Sequence, residues 1–469
     1  MKKLLNLCTD MEKKELTYIH LIATGGSIMH NLALALHDKG LKVTGSDDEI
    51  FEPAKSRLAS AGILPQQEGW FPEKLDAMPD AVILGMHARP DNPELKRAQE
   101  LNIPVYSFPE FIYEQSKDKQ RIVIGGSHGK TSITSIIMHV LKELGHKFNY
   151  AVGAQLEGFD RMVKLTEDAP IIIIEGDEYL SDPIKRIPKF HLYNHHIAVI
   201  SGISWDHINV FPDPEIYREQ FRIFAEMTPK AGTLIYNKDD EQVQLVAVPR
   251  NQADIAYIGY GVHDHTIKNG KTILHTKKDG DVAIQLFGEH NLRNINAAKE
   301  VCKKIGIKAH DFYNALSTFK GAAKRLEKVG ENNSSVIYRD FAHAPSKVKA
   351  TTEAVKAQFP QRKLVAALEL HTFSSLNKNF LPQYAGALDK ADEPIVYFSP
   401  KTIEHKRMEM LTEEELKAAF NNPRLQVFTD SEKLQAHLQQ TDWQNANLLL
   451  MSSGTYNNIS MEALTQAIL

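Results

Sequence analysis

The segment Ile124–Ser132 carries the residues best suited to chemistry in this chain. Three glycines precede Lys130 and Thr131, between an apolar run and a helical stretch. Glycines let backbone N–H groups close around phosphate oxygens, and a helix N-terminus adds partial positive charge. A lysine there reaches the terminal phosphates, and a threonine hydroxyl can bind Mg²⁺. The segment therefore predicts a phosphate-binding loop, although Gly125 and Gly129 lie one residue closer together than in the common motif.

Acidic and imidazole side chains follow two further apolar runs. The acidic segment Glu175–Glu178 follows Ile171–Ile174, and Asp206 and His207 follow a run that ends at Ile203. Parallel strands present ligands at their carboxyl ends, so these groups could converge on a Mg²⁺–nucleotide site. Helix capping by the acidic segment and a surface position for the imidazole are the alternatives. Thr131, the acidic segment and the Asp206-His207 pair are therefore the candidate metal ligands.

Three further histidines, His191, His195 and His196, suggest a zinc site. Their spacing is irregular, and no additional ligand set accompanies them. A polar connection before the next strand is the favoured interpretation.

An earlier glycine turn indicates a second nucleotide-binding region. Gly25 and Gly26 separate the strand-like run Ile19–Ala23 from a helical stretch, and Asp47 follows a second strand. This order is typical of a dinucleotide fold with an acid on a ribose. The third glycine of that fingerprint is absent, so the turn predicts a bound nucleotide diphosphate without identifying the nucleotide.

Composition bounds the remaining classes. The chain has 469 residues, a formal net charge of −4, 42% apolar and 24% charged residues, and only two cysteines, Cys8 and Cys302. The charge argues against a protein that grips nucleic acid, and the cysteine count argues against a disulfide framework. No apolar run is long enough for a membrane span, and acidic residues interrupt the N-terminal apolar patch. We expect a cytoplasmic, multidomain protein without membrane insertion.

The elements around these motifs predict three α/β units. Short β-rich runs alternate with helical stretches, which indicates parallel sheets. Domains are expected at 1–116, 117–322 and 323–469. The stretch Ala256–Gln285, with turns at Asn269-Gly270 and Asp279-Gly280, predicts a small antiparallel insertion. In the third unit we expect a helix between the strands Lys363–Leu370 and Pro394–Phe398.

Taken together, these motifs resemble those of the Mur ligases, the ATP-dependent amide-forming enzymes of bacterial cell-wall precursor synthesis. The resemblance covers essentially the whole chain and depends on the order of several separate motifs. The matching segments are Gly125–Ser132, Glu175–Glu178, Asp206-His207, Gly288–Asn291 with Asn294, Ala297 and Ala298, Arg325, and Asp340–His343.

The resemblance implies the fold and the work of each domain. A Rossmann-like N-terminal domain would hold UDP-N-acetylmuramate, a central P-loop ATPase domain with a parallel sheet would hold Mg²⁺ and ATP, and a Rossmann-like C-terminal domain would present the amine. The muramate carboxylate would be activated as an acyl phosphate. A monomer or a homodimer is expected.

The resemblance also assigns residues. Catalytic roles would fall to Lys130, His207 and Arg325. The ATP-binding residues would be Gly126, Ser127, His128, Gly129, Lys130, Thr131, Ser132, His290, Asn291, Asn294, Arg325 and Asp340. The UDP-sugar would be bound by Gly25, Gly26, Ser27, Asp47 and His87. The acceptor would be bound by His343 and His371. Mg²⁺ would be held by Thr131, Glu175 and His207.

Two branches of the family join an amino group directly to UDP-N-acetylmuramate. One adds L-alanine, and the other adds the tripeptide L-alanyl-γ-D-glutamyl-meso-diaminopimelate. Tyr179, the basic insert Lys185–His196 and the segment Met451–Gly454 resemble the second branch, which we favour. The chain departs from the family pattern at Ala344, where a second histidine usually stands beside His343.

Three other functions stay open at this point. The L-alanine-adding branch is the nearest alternative. A nicotinamide-dependent oxidoreductase built on the Gly25–Asp47 region would leave the glycine loop before Lys130 without a function. A non-catalytic nucleotide-binding scaffold would bind ATP without amine-dependent turnover.

Overall fold

In a computed structural model, the chain forms three α/β units, each built on its own largely parallel sheet. The structure describes residues 16–247, 254–268, 270–321 and 325–469. This architecture confirms the predicted α/β class. Cys8, Asn269 and the expected boundary between residues 322 and 323 lie outside the described residues.

The N-terminal unit is a four-stranded parallel sheet in the order β2-β1-β3-β4. Its strands are β1 (Tyr18–Ile22), β2 (Lys42–Ser46), β3 (Ala81–Leu84) and β4 (Val105–Ser107). Its α-helices are α1 (Ser27–Asp38), α2 (Ala54–Ser60), α3 (Pro93–Glu100) and α4 (Phe108–Glu114), with a 3₁₀ helix at Pro72–Ala77. The glycine turn thus joins β1, a central strand, to α1, as the sequence predicts.

The central unit is a seven-stranded sheet in the order β11-β10-β9-β5-β8-β6-β7, parallel except for β7. Its strands are β5 (Gln120–Gly125), β6 (Asn149–Ala151), β7 (Val163–Lys164), β8 (Ile171–Gly176), β9 (Ile197–Ile200), β10 (Thr233–Asn237) and β11 (Ala256–Tyr260). Its α-helices are α5 (Lys130–Glu143), α6 (Pro214–Glu226), α7 (Glu241–Ala247), α8 (Glu289–Lys304) and α9 (Ala309–Ser317), with a 3₁₀ helix at Lys189–Tyr193. Strand β5 is central, so its loop opens in the middle of the sheet edge.

The predicted antiparallel insertion is smaller than expected. Strand β11 pairs in parallel with β10 and extends the main sheet. The antiparallel sheet starts only at His265 and comprises β12 (His265–Lys268), β13 (Lys271–His275) and β14 (Asp281–Ile284). Assigning Ala256–Tyr260 to the insertion was therefore wrong, because periodicity cannot show which sheet a short strand joins.

The C-terminal unit is a six-stranded sheet in the order β15-β16-β20-β17-β18-β19, parallel except for β15. Its strands are β15 (Glu327–Glu331), β16 (Val336–Asp340), β17 (Lys363–Glu369), β18 (Glu393–Tyr397), β19 (Gln426–Phe428) and β20 (Ala446–Met451). Its α-helices are α10 (Pro345–Gln358), α11 (Pro400–His405), α12 (Glu413–Phe420), α13 (Ser431–Gln440) and α14 (Met461–Ile468). Residues 370–392 form turns and a 3₁₀ helix at Leu381–Tyr384, so the α-helix expected there was wrong.

The central strands are apolar on both faces because helices cover both sides of the sheet. Side chains of β8 show the pattern: Ile172, Ile173 and Ile174 are fully buried, in two different clusters on opposite faces. Such burial fixes the register of the strands and thereby the positions of the polar residues at their ends.

Buried hydrogen bonds join the N-terminal unit to the central one. Asn31 on α1 is fully buried, and its Oδ1 accepts a hydrogen bond from the Met162 N–H at 2.9 Å. Arg161 forms an ion pair with Asp38 at the rim, at 2.9 Å. Helix α1 therefore packs against the edge of the central sheet.

In the part of the chain that the structure describes, no helix combines the length and the apolar character that crossing a bilayer requires.

We predict that Asn31→Ala destabilises this junction by about 1–3 kcal/mol, because the buried Met162 N–H loses its acceptor. Urea unfolding monitored by tryptophan fluorescence measures the change. The matched control is Asn314→Ala on the exposed face of α9, expected to shift stability by no more than about 0.5 kcal/mol. Equal stability of the two variants would show that the Asn31 bond contributes nothing.

Candidate active site

The loop between β5 and α5 has the backbone that a phosphate-binding turn needs. Gly126 and Gly129 have φ values of 141° and 82°, which side-chain-bearing residues rarely adopt. A Cβ on Gly126 would lie 2.0 Å from the Ser201 Oγ, and one on Gly129 would lie 2.6 Å from the Asn294 Oδ1. Glycine is therefore required at both positions, and the loop leaves the first N–H groups of α5 without intrahelical acceptors.

This loop forms one wall of a cleft of about 700 Å³ between the central and C-terminal units. The other walls come from the ends of β9 and β10, the start of α8, and the C-terminal segment around β16 and α10. Every predicted ATP-binding residue except Gly126 lines the cleft: Ser127, His128, Gly129, Lys130, Thr131, Ser132, His290, Asn291, Asn294, Arg325 and Asp340. Residues from distant parts of the sequence thus meet where the motifs predict.

The Lys130 ammonium is held by Glu178. Its Nζ lies 2.5 Å from the Glu178 Oε2 and 2.5 Å from the Gly126 carbonyl oxygen. Glu178 is 1% exposed. Burial favours its neutral form, yet Lys130 and His207 lower the pKa of Glu178 well below its usual range. Burial likewise works against the charge of Lys130, but Glu178 and Asp177 raise the pKa of that lysine.

A hydroxyl relay orients the Glu178 carboxylate. The buried Tyr217 hydroxyl on α6 donates to the Glu178 Oε1 at 3.0 Å. Because that hydroxyl has a single proton, the Ser127 Oγ must donate to Tyr217 across their 2.8 Å contact. The Ser127 oxygen in turn accepts the Ser204 N–H at 2.9 Å. The loop, the end of β8 and α6 therefore form one hydrogen-bonded unit.

His207 lies on the other side of Glu178. Its Nε2 is 3.6 Å from the Glu178 Oε1, and its ring meets the edge of Tyr179 at a centroid distance of 5.1 Å. Burial acts to lower the pKa of His207, but Glu178 and Asp206 outweigh it and raise that pKa above 6.5. His207 also has a φ of 55°, a backbone conformation that is strained for a residue other than glycine. Such strain clusters at functional sites.

Thr131 meets Glu175 rather than His207. The Thr131 Oγ1 donates to the Glu175 Oε1 at 2.8 Å, and the Gly153 N–H donates to the other carboxylate oxygen at 3.1 Å. The Arg325 guanidinium reaches the same hydroxyl at 3.5 Å. Among the predicted metal ligands, Thr131 thus contacts Glu175, whereas His207 contacts Glu178.

The donor types in these groups fit Mg²⁺. A hydroxyl and carboxylates are the hard oxygen ligands that this ion prefers. Ligand atoms of Asp177, Glu178 and His207 also lie within 4.8 Å of one another. His207 would first have to release the proton that Glu178 stabilises, so metal binding there is linked to its charge.

Helix α8 supplies the opposite wall of the cleft. It starts after Gly288, and the buried Asn291 side chain donates to the Phe287 carbonyl at 3.0 Å. Burial lowers the pKa of His290 to about 4, so its imidazole is neutral at neutral pH. A neutral ring beside the Asn294 amide suits recognition of an uncharged heterocycle.

The C-terminal unit closes the cleft with Arg325 and the end of β16. Asp340 accepts the Leu326 and Ala342 N–H groups, both at 2.6 Å, which fixes the backbone that follows Arg325. The Arg325 guanidinium lies 4.8 Å from the centre of the Phe341 ring. This packing directs a permanent positive charge toward the loop.

The two predicted acceptor-binding histidines are separated. His343 lines the cleft, and burial together with Lys347 lowers its pKa to about 4. His371 lies outside the cleft lining, between β17 and the segment after β20, where its Nδ1 is 3.9 Å from the buried Glu369. Gly454 packs against both His371 and Glu369.

The predicted UDP-sugar residues follow the ends of the neighbouring strands β1, β2 and β3. The Gly25 N–H donates to the Asp47 carboxylate at 2.7 Å, and burial raises the pKa of Asp47 to about 6. Ser27 starts α1, and its Oγ lies 3.6 Å from the Met162 sulfur. His87 is exposed in the segment after β3.

The three histidines considered for zinc make separate contacts with the protein. His191 bonds to the Gln220 carbonyl at 2.8 Å, His195 to the Thr228 hydroxyl at 3.0 Å, and the Arg121 N–H donates to His196 at 3.0 Å. They form part of the packing before β9.

Sequence reasoning missed three residues of the site: Glu178, Tyr217 and Lys347. Glu178 was placed in the acidic segment, but Glu175 was chosen as the ligand. Strand β8 ends at Gly176, so Glu178 lies beyond the sheet edge and can reach Lys130. Lys347 had a signal in the sequence, since a lysine in the first turn of a helix opposes the helix dipole.

A phosphate-binding turn that faces an arginine from a second α/β unit is the arrangement expected of an enzyme that transfers a phosphoryl group. Family models match the chain in the same order: "Mur ligase family, catalytic domain" over residues 18–120, "Mur ligase middle domain" over 124–302, and "Mur ligase, glutamate ligase domain" over 324–454. The chain belongs to the Mur ligase family, whose members are ATP-dependent ligases.

Relatives of two specificities resemble this chain. The UDP-N-acetylmuramate–L-alanine ligase of Caldicellulosiruptor bescii is 32% identical over 80% of this chain and 82% of its own. The UDP-N-acetylmuramate–L-alanyl-γ-D-glutamyl-meso-2,6-diaminoheptandioate ligase of Haemophilus influenzae is 26% identical over 95% and 98%. The crystal structure of a UDP-N-acetylmuramate-alanine ligase from Thermotoga maritima shares the fold, with a TM-score of 0.68, 19% identity and coverage of 97% and 98%.

We predict that Glu178→Gln lowers the pKa of His207, because it removes the carboxylate that stabilises the imidazolium. The wild-type pKa is raised on folding, so charge on His207 stabilises the fold below pH 6.5, and this stabilisation is lost as the pH rises through the folded pKa. Two-dimensional NMR titration of the ring measures the midpoint. His195, bonded to Thr228, is the internal reference and should not change. An unchanged His207 midpoint would contradict the assigned contact.

Proposed function

We propose that this enzyme joins the carboxylate of UDP-N-acetylmuramate to the amino group of L-alanyl-γ-D-glutamyl-meso-diaminopimelate, with ATP as co-substrate and through an acyl phosphate. The reaction would take place in the cytoplasm and serve peptidoglycan recycling. The enzyme would act as a monomer or a homodimer.

One observation carries the phosphoryl-transfer part of this proposal. Lys130 and Arg325, from two different units, face the same cleft above the first turn of α5. Two fixed cations at a helix N-terminus stabilise the charge that spreads over a phosphoryl group during transfer. A nicotinamide-dependent oxidoreductase would require neither of them.

The proposed steps follow from the poor reactivity of a carboxylate toward amines. A carboxylate oxygen attacks the γ-phosphorus, an O–P bond forms, and the bond to the β-phosphate oxygen breaks to release ADP. The amine then attacks the acyl carbon, and the tetrahedral intermediate expels inorganic phosphate. A closed cleft excludes water, which would otherwise hydrolyse the acyl phosphate.

Residues for the metal and for the amine are available. Thr131, Glu175 and His207 would hold Mg²⁺, which when bound neutralises charge on the β- and γ-phosphates. The His343 Nδ1 donates to the Phe341 carbonyl at 2.8 Å, which leaves Nε2 as the acceptor of the neutral ring. We propose that this nitrogen accepts a hydrogen bond from the incoming amine, and that His371 contacts a more distant part of the acceptor.

Sequence features favour the tripeptide over L-alanine. The resemblance to the branch that adds the tripeptide lies in Tyr179, the basic insert Lys185–His196 and the segment Met451–Gly454. The Haemophilus influenzae relative also extends over nearly the entire chain. The higher identity to the Caldicellulosiruptor bescii enzyme makes L-alanine addition the second candidate.

Phosphate release distinguishes these candidates. We predict that UDP-N-acetylmuramate, ATP and Mg²⁺ support rapid phosphate release with the tripeptide and little with L-alanine. Mass spectrometry of the product confirms the new amide. Turnover with L-alanine alone would replace the first candidate by the second, and release with neither acceptor would overturn the proposed function.

We predict that Lys130→Met reduces kcat by about 100-fold or more, because one preorganised donor to the transferred phosphoryl group is lost. The matched control is Lys142→Met on the same helix, where the ammonium donates to the Gly158 carbonyl at 2.9 Å and lies over the Phe159 ring, away from the cleft lining. The control should retain nearly full turnover. Comparable kcat values for the two variants would refute the role of Lys130.

A further inference from the structure

A second lysine, contributed by the C-terminal unit, faces the same cleft. Lys347 lies in the first turn of α10 and is half-buried. Its ammonium forms no hydrogen bond or ion pair with any residue that the structure describes. Glu178, one of the acidic groups in electrostatic reach, is already paired with Lys130, and Asp206 accepts the backbone N–H of His207 at 2.7 Å.

The position of Lys347 is electrostatically unfavourable in the protein alone. The N-terminus of α10 carries partial positive charge. The structure describes all residues of the first turn of this helix, and none of them is acidic. Burial and the neighbouring Lys130 and Arg325 lower the pKa of Lys347, although Asp206 and Glu178 oppose them. A bound anion that Lys347 shares with Lys130 and Arg325 would offset the repulsion among these three positive charges.

Lys347 also marks the junction of two cavities. It lines both the nucleotide cleft and an adjoining cavity of about 370 Å³, which Trp205, Asp206 and Phe380 help to form. Ala344, one turn before it, contributes only a methyl group to that second cavity. Ser127, Ser346 and Lys349 also line both cavities, so Lys347 is one of four residues that a group moving from the nucleotide to a substrate in the second cavity would pass.

We propose that Lys347 is a further catalytic residue that binds the transferred phosphoryl group from the C-terminal side. This proposal rests on the proposed function. Its ammonium donates hydrogen bonds to the non-bridging oxygens while the carboxylate O–P bond forms and the bond to ADP breaks. Lys347 keeps its protons throughout, and phosphate leaves when the amine displaces it from the acyl carbon. Lys130 holds the same oxygens from the loop side, and Arg325 reaches them from the C-terminal unit, as Lys347 does.

The role predicts a specific dependence on the γ-phosphate. We expect Lys347→Met to lower kcat by about 100-fold and to weaken binding of a non-hydrolysable ATP analogue with Mg²⁺ while leaving ADP binding within about twofold. Lys347→Arg should restore part of both losses, since a guanidinium also binds phosphate. The matched control is Lys356→Met on the same helix, where the ammonium pairs with Asp392 at 2.7 Å.

The measurements are initial rates of phosphate release and calorimetric titrations of both nucleotides with wild type and variants. Equal weakening of the ATP analogue and ADP, or a kcat within about threefold of wild type, would overturn the proposal. The nucleotide titrations do not need an acceptor. If wild-type protein releases no phosphate with either acceptor, the proposed function fails, while a γ-phosphate-specific loss in Lys347→Met still supports binding of that group by Lys347.

Discussion

The ion pair between Lys130 and Glu178 is the interaction on which the rest of the site depends. It joins the loop after β5 to the end of β8 at 2.5 Å, with Glu178 almost fully buried. Removing two charges from water is costly, and replacing such pairs by apolar residues is often neutral or stabilising. Its presence here is therefore better explained by chemistry than by stability. The pair keeps an ammonium charged and aimed at the cleft, ready to exchange a carboxylate partner for a phosphate.

The surrounding structure makes that exchange possible without rearranging the sheet. Tyr217 and Ser127 hold Glu178 through hydroxyl groups, so the carboxylate stays in place if Lys130 turns to a phosphate. His207 is the nearest alternative partner for the carboxylate, at 3.6 Å. Positive charge from the C-terminal unit, supplied by Arg325 and Lys347, completes the site only when the two units face each other. In the proposed mechanism, the arrangement of the two units therefore couples nucleotide binding to the assembly of these charges.

Local motifs were predictable from the sequence because their conformations are determined over a few residues. The glycine spacing before Lys130 gave the loop, and the strand and helix flanking it confirm that prediction. The Asn294 side chain and Arg325 reach the cleft as the resemblance implies. The role of each of these residues stays a prediction until it is measured.

Features that depend on tertiary packing were not predictable in the same way. The pairing of Glu178 with Lys130 depends on where β8 ends, and strand ends are poorly defined by composition. Tyr217 belongs to a helix whose sequence shows only an amphipathic pattern, so its hydroxyl partners come from tertiary structure. The surroundings of His371 likewise come from tertiary structure, because its contact with Glu369 and Gly454 joins segments that are distant in the sequence.

The most direct test of the central claim is calorimetric titration of the wild-type protein with a non-hydrolysable ATP analogue, with and without Mg²⁺. The claim is that the loop ending at Lys130 binds the triphosphate of a nucleotide. It predicts saturable binding of one nucleotide per chain with a Kd of about 1 mM or tighter, strengthened by Mg²⁺. Folded protein that shows no binding at millimolar nucleotide in the presence of Mg²⁺ would contradict it.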